Sequence, residues 1–167
     1  MAIIDDIVKT LEERRQTLAF AESCTGGKLS AAFVNISGVS RVFRGSVVAY
    51  SNAMKETVLD VNSATIMSLG AVSAPTALEM ARGVQSISNA TWTLSVTGIA
   101  GPTGGSNDKP VGTVFFAIVG PGIEQWERQR FDGDRAQVQD KAVAFAIDLL
   151  GRALNSQLQL RRDHGCK

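Results

Sequence analysis

The chain predicts an α/β domain of three layers, α/β/α, in which a mixed β-sheet is covered by helices on both faces. Short apolar runs of strand length alternate with segments of helical periodicity. Three of those runs open directly into Ser/Thr/Gly turns, as strands feeding helices do. A later pair of runs brackets Gly120-Pro121-Gly122, which reads as an antiparallel hairpin and makes the sheet mixed rather than all parallel.

Each element has its own signal. Ile4, Ile7, Val8 and Leu11 recur at helical spacing, so residues 3–15 form an amphipathic helix. Residues 17–22 read as a buried strand, stopped by Ser23-Cys24-Thr25-Gly26-Gly27, and 26–36 as the helix that follows. The apolar run 45–50 is a second strand, and Ser51-Asn52 can cap a helix over 53–60. A short helix is expected at 63–69. Ser73 caps the next one, with Leu78, Ala81 and Val84 facing inward. Residues 91–97, rich in β-branched and aromatic side chains, make a third strand entering the Gly-rich segment 98–106. The hairpin strands are 112–119 and 123–131. Asp134 is placed to cap a final helix over 135–155, with Val138, Ala142, Phe145 and Leu149 on one face. The 167 residues are read as a single domain, 1–167, with its core at about 3–155 and a polar tail at 156–167 that frays over its last residues.

Composition narrows the function classes. Seventeen basic against sixteen acidic residues give a net charge of +1 and no long single-sign run, which argues against a nucleic-acid partner. No apolar run is long enough to span a membrane, and the N-terminal residues lack the pattern of a secretory signal. Cys24 and Cys166 are too few and too far apart for a disulfide framework or a metal site, so a cytoplasmic setting is expected.

Chemistry concentrates in the three turns that follow strands: 23–27, 51–55 and 97–106. If their strands are parallel neighbours, the turns converge on one pocket. The first turn places hydroxyls and bare amides at a helix N-terminus, where Gly26 and Gly27 let an anion approach; alternatively Ser23 or Thr25 only caps the helix. The lone histidine, His164, lies in the tail, so a Ser-His or Cys-His pair is not expected in the body of the fold. A serine nucleophile then needs another base. Lys55 is the lysine just past an apolar strand, in the first turn of a helix; it reads either as a base or as a solvated surface residue. Tyr50 reads as a supporting acid or as an amphipathic strand end. Cys24 is a rival nucleophile or a small buried residue. Arg135 can grip a phosphate or pair with Asp132 or Asp134. The segment 98–105 matches neither a P-loop nor a dinucleotide fingerprint; it serves either as backbone donors around a nucleotide or as a tight crossover. No clustered metal ligands are present.

Together, Ala21-Glu-Ser-Cys-Thr-Gly-Gly27, Val48-Ala-Tyr-Ser-Asn52 with Lys55, Gly70-Ala-Val-Ser73, Gly98-Ile-Ala-Gly-Pro102 with Gly104-Gly-Ser106, and Lys109-Pro-Val-Gly-Thr113 resemble the CinA C-terminal domain family over about residues 5–155. Characterised members of that family are nicotinamide-nucleotide amidohydrolases of the PncC type. The same family forms the second half of longer CinA proteins, whose molybdopterin-binding-like domain has no counterpart here, so the activity of that half is expected to be absent. The resemblance implies hydrolysis of the carboxamide of nicotinamide mononucleotide, without metal or cofactor, to nicotinate mononucleotide and ammonia. It implies Ser23 as nucleophile, Lys55 as its base and Tyr50 as the hydroxyl that orients or shuttles the proton. Substrate contacts are expected from Thr25, Gly26, Gly27, Asn52, Thr97, Gly98, Ala100, Gly101, Gly104, Gly105 and Arg135. A homo-oligomer, with a two-fold dimer favoured, is the expected assembly. The chain departs from the family pattern at Ser46, where many relatives carry a second glycine, and no change of function is expected from it. Two other readings stay open: a non-catalytic nucleotide-sensing or adaptor module linked to competence or DNA repair, and an amidase for another small phosphorylated carboxamide.

Overall fold

A computed structural model describes residues 2–164, with side chains described for 3–156. The elements in chain order are α1 (Ala2–Glu13), β1 (Leu18–Glu22), α2 (Lys28–Val34), a 3₁₀ turn at Val39–Arg41, β2 (Phe43–Val48), α3 (Asn52–Leu59), α4 (Ser63–Leu69), α5 (Ala74–Ser88), β3 (Trp92–Gly98), β4 (Thr113–Gly120), β5 (Ile123–Arg130) and α6 (Arg135–His164). The sheet order is β2-β1-β3-β4-β5. β1 pairs parallel with both β2 and β3, while β3–β4 and β4–β5 are antiparallel, so the sheet is mixed and the hairpin is real. Five strands between two helical layers give the expected three-layer α/β fold.

Alternation along β1 explains the two layers. Leu18 and Phe20 join a core with Leu11 of α1, Phe33 of α2, and Val138, Ala142 and Leu149 of α6. Ala19 and Ala21 point the other way, into the layer of α3, α4 and α5 with Leu59, Ile66 and Met80. Large side chains fill the first layer, whereas small ones let α5 lie close on the second. β3 does the same with hydroxyls on that close face. Thr93 Oγ1 donates to Ala81 O at 2.8 Å and Ser95 Oγ to Ala77 O at 2.6 Å; Thr97 Oγ1 donates to Ala71 O at 2.8 Å. Buried hydroxyls thereby find backbone acceptors and pin α5 and the turn before it to the sheet.

Caps define the helix starts that matter for the site. Ser51 accepts from Met54 N at the head of α3, and Ser73 from Thr76 N at the head of α5. Asp134 accepts from Gln137 N while its own amide donates to Gln137 Oε1, a reciprocal capping box before α6. α6 differs from expectation: it runs on to His164, so the predicted polar tail is helical as far as it is described. Cys166 and Lys167 lie outside the described residues, as does the side chain of His164.

Candidate active site

β2, β1 and β3 are parallel neighbours, so their carboxyl ends open on the same edge of the sheet and the three polar turns do converge. They enclose a cleft of about 200 Å³ lined by Ser23 and Cys24 after β1, Tyr50, Asn52 and Lys55 after β2, and Thr97, Gly98 and Ala100 at the end of β3. Ala71 and Val72 close one wall, and Arg135, from the head of α6, closes another.

Lys55 sits in the first turn of α3, and only 1% of it is exposed. Its Nζ is 3.0 Å from Ser23 Oγ, 2.8 Å from Ala49 O and 3.5 Å from Tyr50 O. The surface reading of Lys55 is therefore excluded. No carboxylate forms an ion pair with it among the described residues. Burial lowers its pKa from 10.5; only a negative Cys24 would oppose this. Burial in turn pushes the Cys24 thiol up to about 12, against partial help from its own amide and from Lys55. The thiol thus stays protonated near neutrality, cannot hold Lys55 charged, and is no nucleophile. A neutral amine has two N–H groups and one lone pair. In that neutral form the two carbonyls can take the N–H groups and leave the lone pair for the Ser23 hydroxyl; in the protonated form Nζ donates to Ser23 Oγ as well.

The first turn is built differently from expectation. Neither Ser23 nor Thr25 caps α2, and the helix end is not free for an anion. The side chain of Glu22, fully buried, fills it. Its Oε2 accepts from Gly27 N at 3.0 Å and Leu29 N at 3.1 Å, and its Oε1 from Ser30 N at 2.9 Å and from the Ser30 hydroxyl. Ser46 Oγ, at 3.4 Å, adds a further donor, which accounts for a serine at that position of β2. Gly26 N donates to Ser23 O and Lys28 N to Thr25 O. Among the described residues, that leaves the amides of Cys24 and Thr25 as the ones in this turn donating to no oxygen. Thr25 Oγ1 is also buried without a partner. Gln139 of α6 holds the turn from outside, its Nε2 donating to Cys24 O at 2.8 Å.

Tyr50 is 58% exposed, and its hydroxyl meets Arg135 rather than the Ser23–Lys55 pair. Its carbonyl, not its phenol, faces Lys55. Arg135 pairs with neither Asp132 nor Asp134; Nη1 donates to Gly101 O at 2.9 Å and Nη2 to the Tyr50 hydroxyl. The guanidinium thus stands at the cleft with neutral partners and an uncompensated charge.

Of the other expected contacts, Asn52, Thr97, Gly98 and Ala100 line the cleft, whereas Thr25, Gly26, Gly27, Gly101, Gly104 and Gly105 do not. Gly101 serves through its carbonyl. Sequence reasoning missed Glu22 as a partner of the helix amides, and Ala71, Val72 and Gln139. The Gly70–Ser73 motif was a usable signal for two of these. Its turn is braced by Thr97, by Ser73 and Thr76 donating to Gly70 O, and by Lys109 Nζ donating to Leu69 O. Among the described residues no group of three His, Cys, Asp or Glu is placed to hold a metal ion, and no helix is long and apolar enough to cross a membrane.

Residues 1–154 match the model of the CinA C-terminal domain. The chain belongs to that family. The CinA-like protein of Pseudothermotoga lettingae is 43% identical over 152 residues, covering 91% of this chain and 37% of that protein. The CinA-like protein of Fervidobacterium nodosum is 45% identical over 150 residues, with 90% and 37% covered. The chain thus spans little more than a third of the length of these relatives. A CinA superfamily protein from Klebsiella pneumoniae superposes with a TM-score of 0.89 at 35% identity, covering 93% of this chain and 97% of the other. The competence/damage inducible protein CihA of Agrobacterium tumefaciens does so at 0.85 and 36%, covering 92% and 94%. The CinA domain is therefore a stand-alone fold in both structures, with the same architecture as here.

Proposed function

We propose that this CinA domain is an amidohydrolase that cleaves the carboxamide of nicotinamide mononucleotide, releasing ammonia and nicotinate mononucleotide. One observation carries the reading: a buried lysine, with its pKa lowered and no carboxylate partner among the described residues, has its Nζ 3.0 Å from a serine hydroxyl in a cleft. A buried amine held against a hydroxyl is costly as a structural device and effective as a general base.

In the proposed reaction Ser23 Oγ attacks the amide carbon as its proton passes to Lys55 Nζ. The oxyanion is met by the Cys24 amide, which lines the cleft beside Ser23 and donates to no oxygen. Lys55 returns the proton to the nitrogen, the C–N bond breaks, and ammonia leaves. Water, deprotonated by Lys55, then cleaves the acyl ester and regenerates Ser23. Arg135 binds the phosphate with its planar fork, releasing its neutral partners Gly101 O and Tyr50. Tyr50 acts on the phosphate side, beside Arg135. The steps use no metal or cofactor.

Ammonia release from nicotinamide mononucleotide by the purified protein, beside Ser23→Ala, tests this. Turnover that vanishes in the variant supports the reaction and the nucleophile together. A folded parent that binds the nucleotide without releasing ammonia overturns the reading in favour of a sensing module.

A further inference from the structure

We propose that Glu22 is the positioning residue of the nucleophile turn, fixing which backbone amides are left to receive the oxyanion; this rests on the proposed Ser23–Lys55 chemistry. No cation pairs with this buried carboxylate among the described residues, yet it accepts from the amides of Gly27, Leu29 and Ser30 and from the hydroxyls of Ser30 and Ser46. By engaging the amides of Gly27, Leu29 and Ser30, it removes the head of α2 as a competing seat for negative charge. Of the two amides in the turn that donate to no oxygen, those of Cys24 and Thr25, the Cys24 amide lines the cleft beside the nucleophile and is the donor that remains there. Glu22 is also the residue before Ser23, so the same contacts set the direction in which the Ser23 side chain leaves β1. Its carbonyl accepts from Ala49 N at 2.8 Å, and Ala49 O in turn accepts from Lys55 Nζ at 2.8 Å. One residue therefore indexes nucleophile, base and oxyanion donors to one another.

The arrangement also orients the substrate. A phosphate approaching the first turn finds the α2 amides already taken by the buried Glu22, while one approaching the other wall meets the guanidinium of Arg135. The amide end is thereby left to Ser23.

Glu22→Gln is the informative substitution, because it keeps shape and size. Both carboxylate oxygens accept from two or more donors, so either orientation of the amide turns its NH₂ against N–H groups and shifts the turn. The readout is the rate at which phenylmethanesulfonyl fluoride modifies Ser23, followed by mass, beside steady-state hydrolysis of nicotinamide mononucleotide. In the labelling step the Oγ–S bond forms, S–F breaks, fluoride leaves and Lys55 takes the proton. The expected result is labelling and kcat both slowed about a hundredfold, the scale of one displaced oxyanion donor, with KM within about threefold. Labelling and kcat within about threefold of the parent overturn the proposal, as does a rise in KM equal to the loss in kcat. Ser30→Ala, a half-buried change on α2 that keeps the carboxylate, guards against a misfolded Glu22 variant. It is expected to slow labelling about three- to tenfold in a protein that still unfolds cooperatively, with its melting temperature lowered by only a few degrees; an unchanged rate overturns the proposal too. Labelling that Glu22→Gln slows, in a parent that leaves nicotinamide mononucleotide intact, retires the substrate reading alone. Hydrolysis indifferent to Glu22→Gln retires this one alone, and no labelling of the parent counts against both.

Discussion

The two glycine-rich turns at the mouth of the sheet look alike in sequence and do opposite work. In the first, after β1, the amides at the head of α2 are occupied by Glu22, and what remains is arranged around Ser23. In the second, residues 98–112, the contacts run through carbonyls and long cationic side chains. Arg135 holds Gly101 O, Arg128 holds Asp108 O at 2.7 Å, and Lys109 reaches Leu69 O at 2.6 Å. Glycine in the second loop serves close approach: a Cβ on Gly105 would stand 2.8 Å from Val111 N. A Gly-rich turn after a strand is thus not by itself an anion cradle. In the proposed division, the first turn carries chemistry and the second carries binding.

The strongest test of that division is at the first turn. Ser23→Ala and Lys55→Met are each expected to lower kcat about a thousandfold or more, while the nucleotide still binds. Lys55 also gives a pH signature. Its folded-state pKa lies below 10.5, so the free amine accumulates, and kcat rises, as pH climbs through that lowered value. Between it and 10.5 the unfolded chain holds one more proton than the folded one, so stability rises with pH across this window and is lower beneath it. Lys55→Met should flatten that rise in urea unfolding at several pH values. A slope that persists in the variant would show that another group is responsible.

At the second wall the expected effect is smaller and falls on a different constant. Arg135→Ala should raise KM about 10- to 100-fold, the scale of losing charge-assisted hydrogen bonds of about 1.5–3 kcal/mol, with kcat within about threefold. Arg135→Lys should recover only part of this, because the fork is lost. If kcat falls and KM holds, Arg135 belongs to the chemistry and the division fails.

How far the sequence reaches follows from the same contrast. Helical and strand periodicity, the caps at Ser51, Ser73 and Asp134, and the hairpin at 120–122 are local signals, and they survive, with β2 lying two residues earlier than the run 45–50. Convergence of the three turns was legible as soon as their strands were taken as parallel neighbours; the pairing of Ser23 with Lys55 comes from the family resemblance, since spacing alone leaves Lys55 open as a surface residue. The partner of the α2 amides was not. Glu22 reads as the polar end of a strand, and only the fold buries its side chain under Ser30 and Ser46. Thr97 is a milder case: its hydroxyl donates to Ala71 O, 26 residues earlier in the chain, so it braces the wall of the cleft instead of standing free in it. The end of α6 went unread because polar residues after 155 carry no stop signal, and the helix continues.

A substitution in the second loop sharpens the comparison further. Gly105→Ala forces a methyl against the Val111 amide, so the loop must move. A stability loss of about 1–2 kcal/mol and a several-fold higher KM are expected, with kcat held. An unchanged KM in thermally destabilised protein would separate the loop from the substrate.

The smallest expected effect is the one that discriminates most sharply between the two turns. Gly26 has φ +60°, with nothing within 4 Å of an added Cβ, and its amide already bonds to Ser23 O. If Gly26 is there to let an anion reach the helix amides, a methyl group should block binding. If Glu22 holds those amides, the methyl has nothing to obstruct. Gly26→Ala should then cost only the left-handed conformation, about 1 kcal/mol of stability in urea unfolding, with kcat/KM within about threefold. A loss of binding without a loss of stability would mean that the first turn cradles the substrate after all, and that the contrast between the two turns is one of degree.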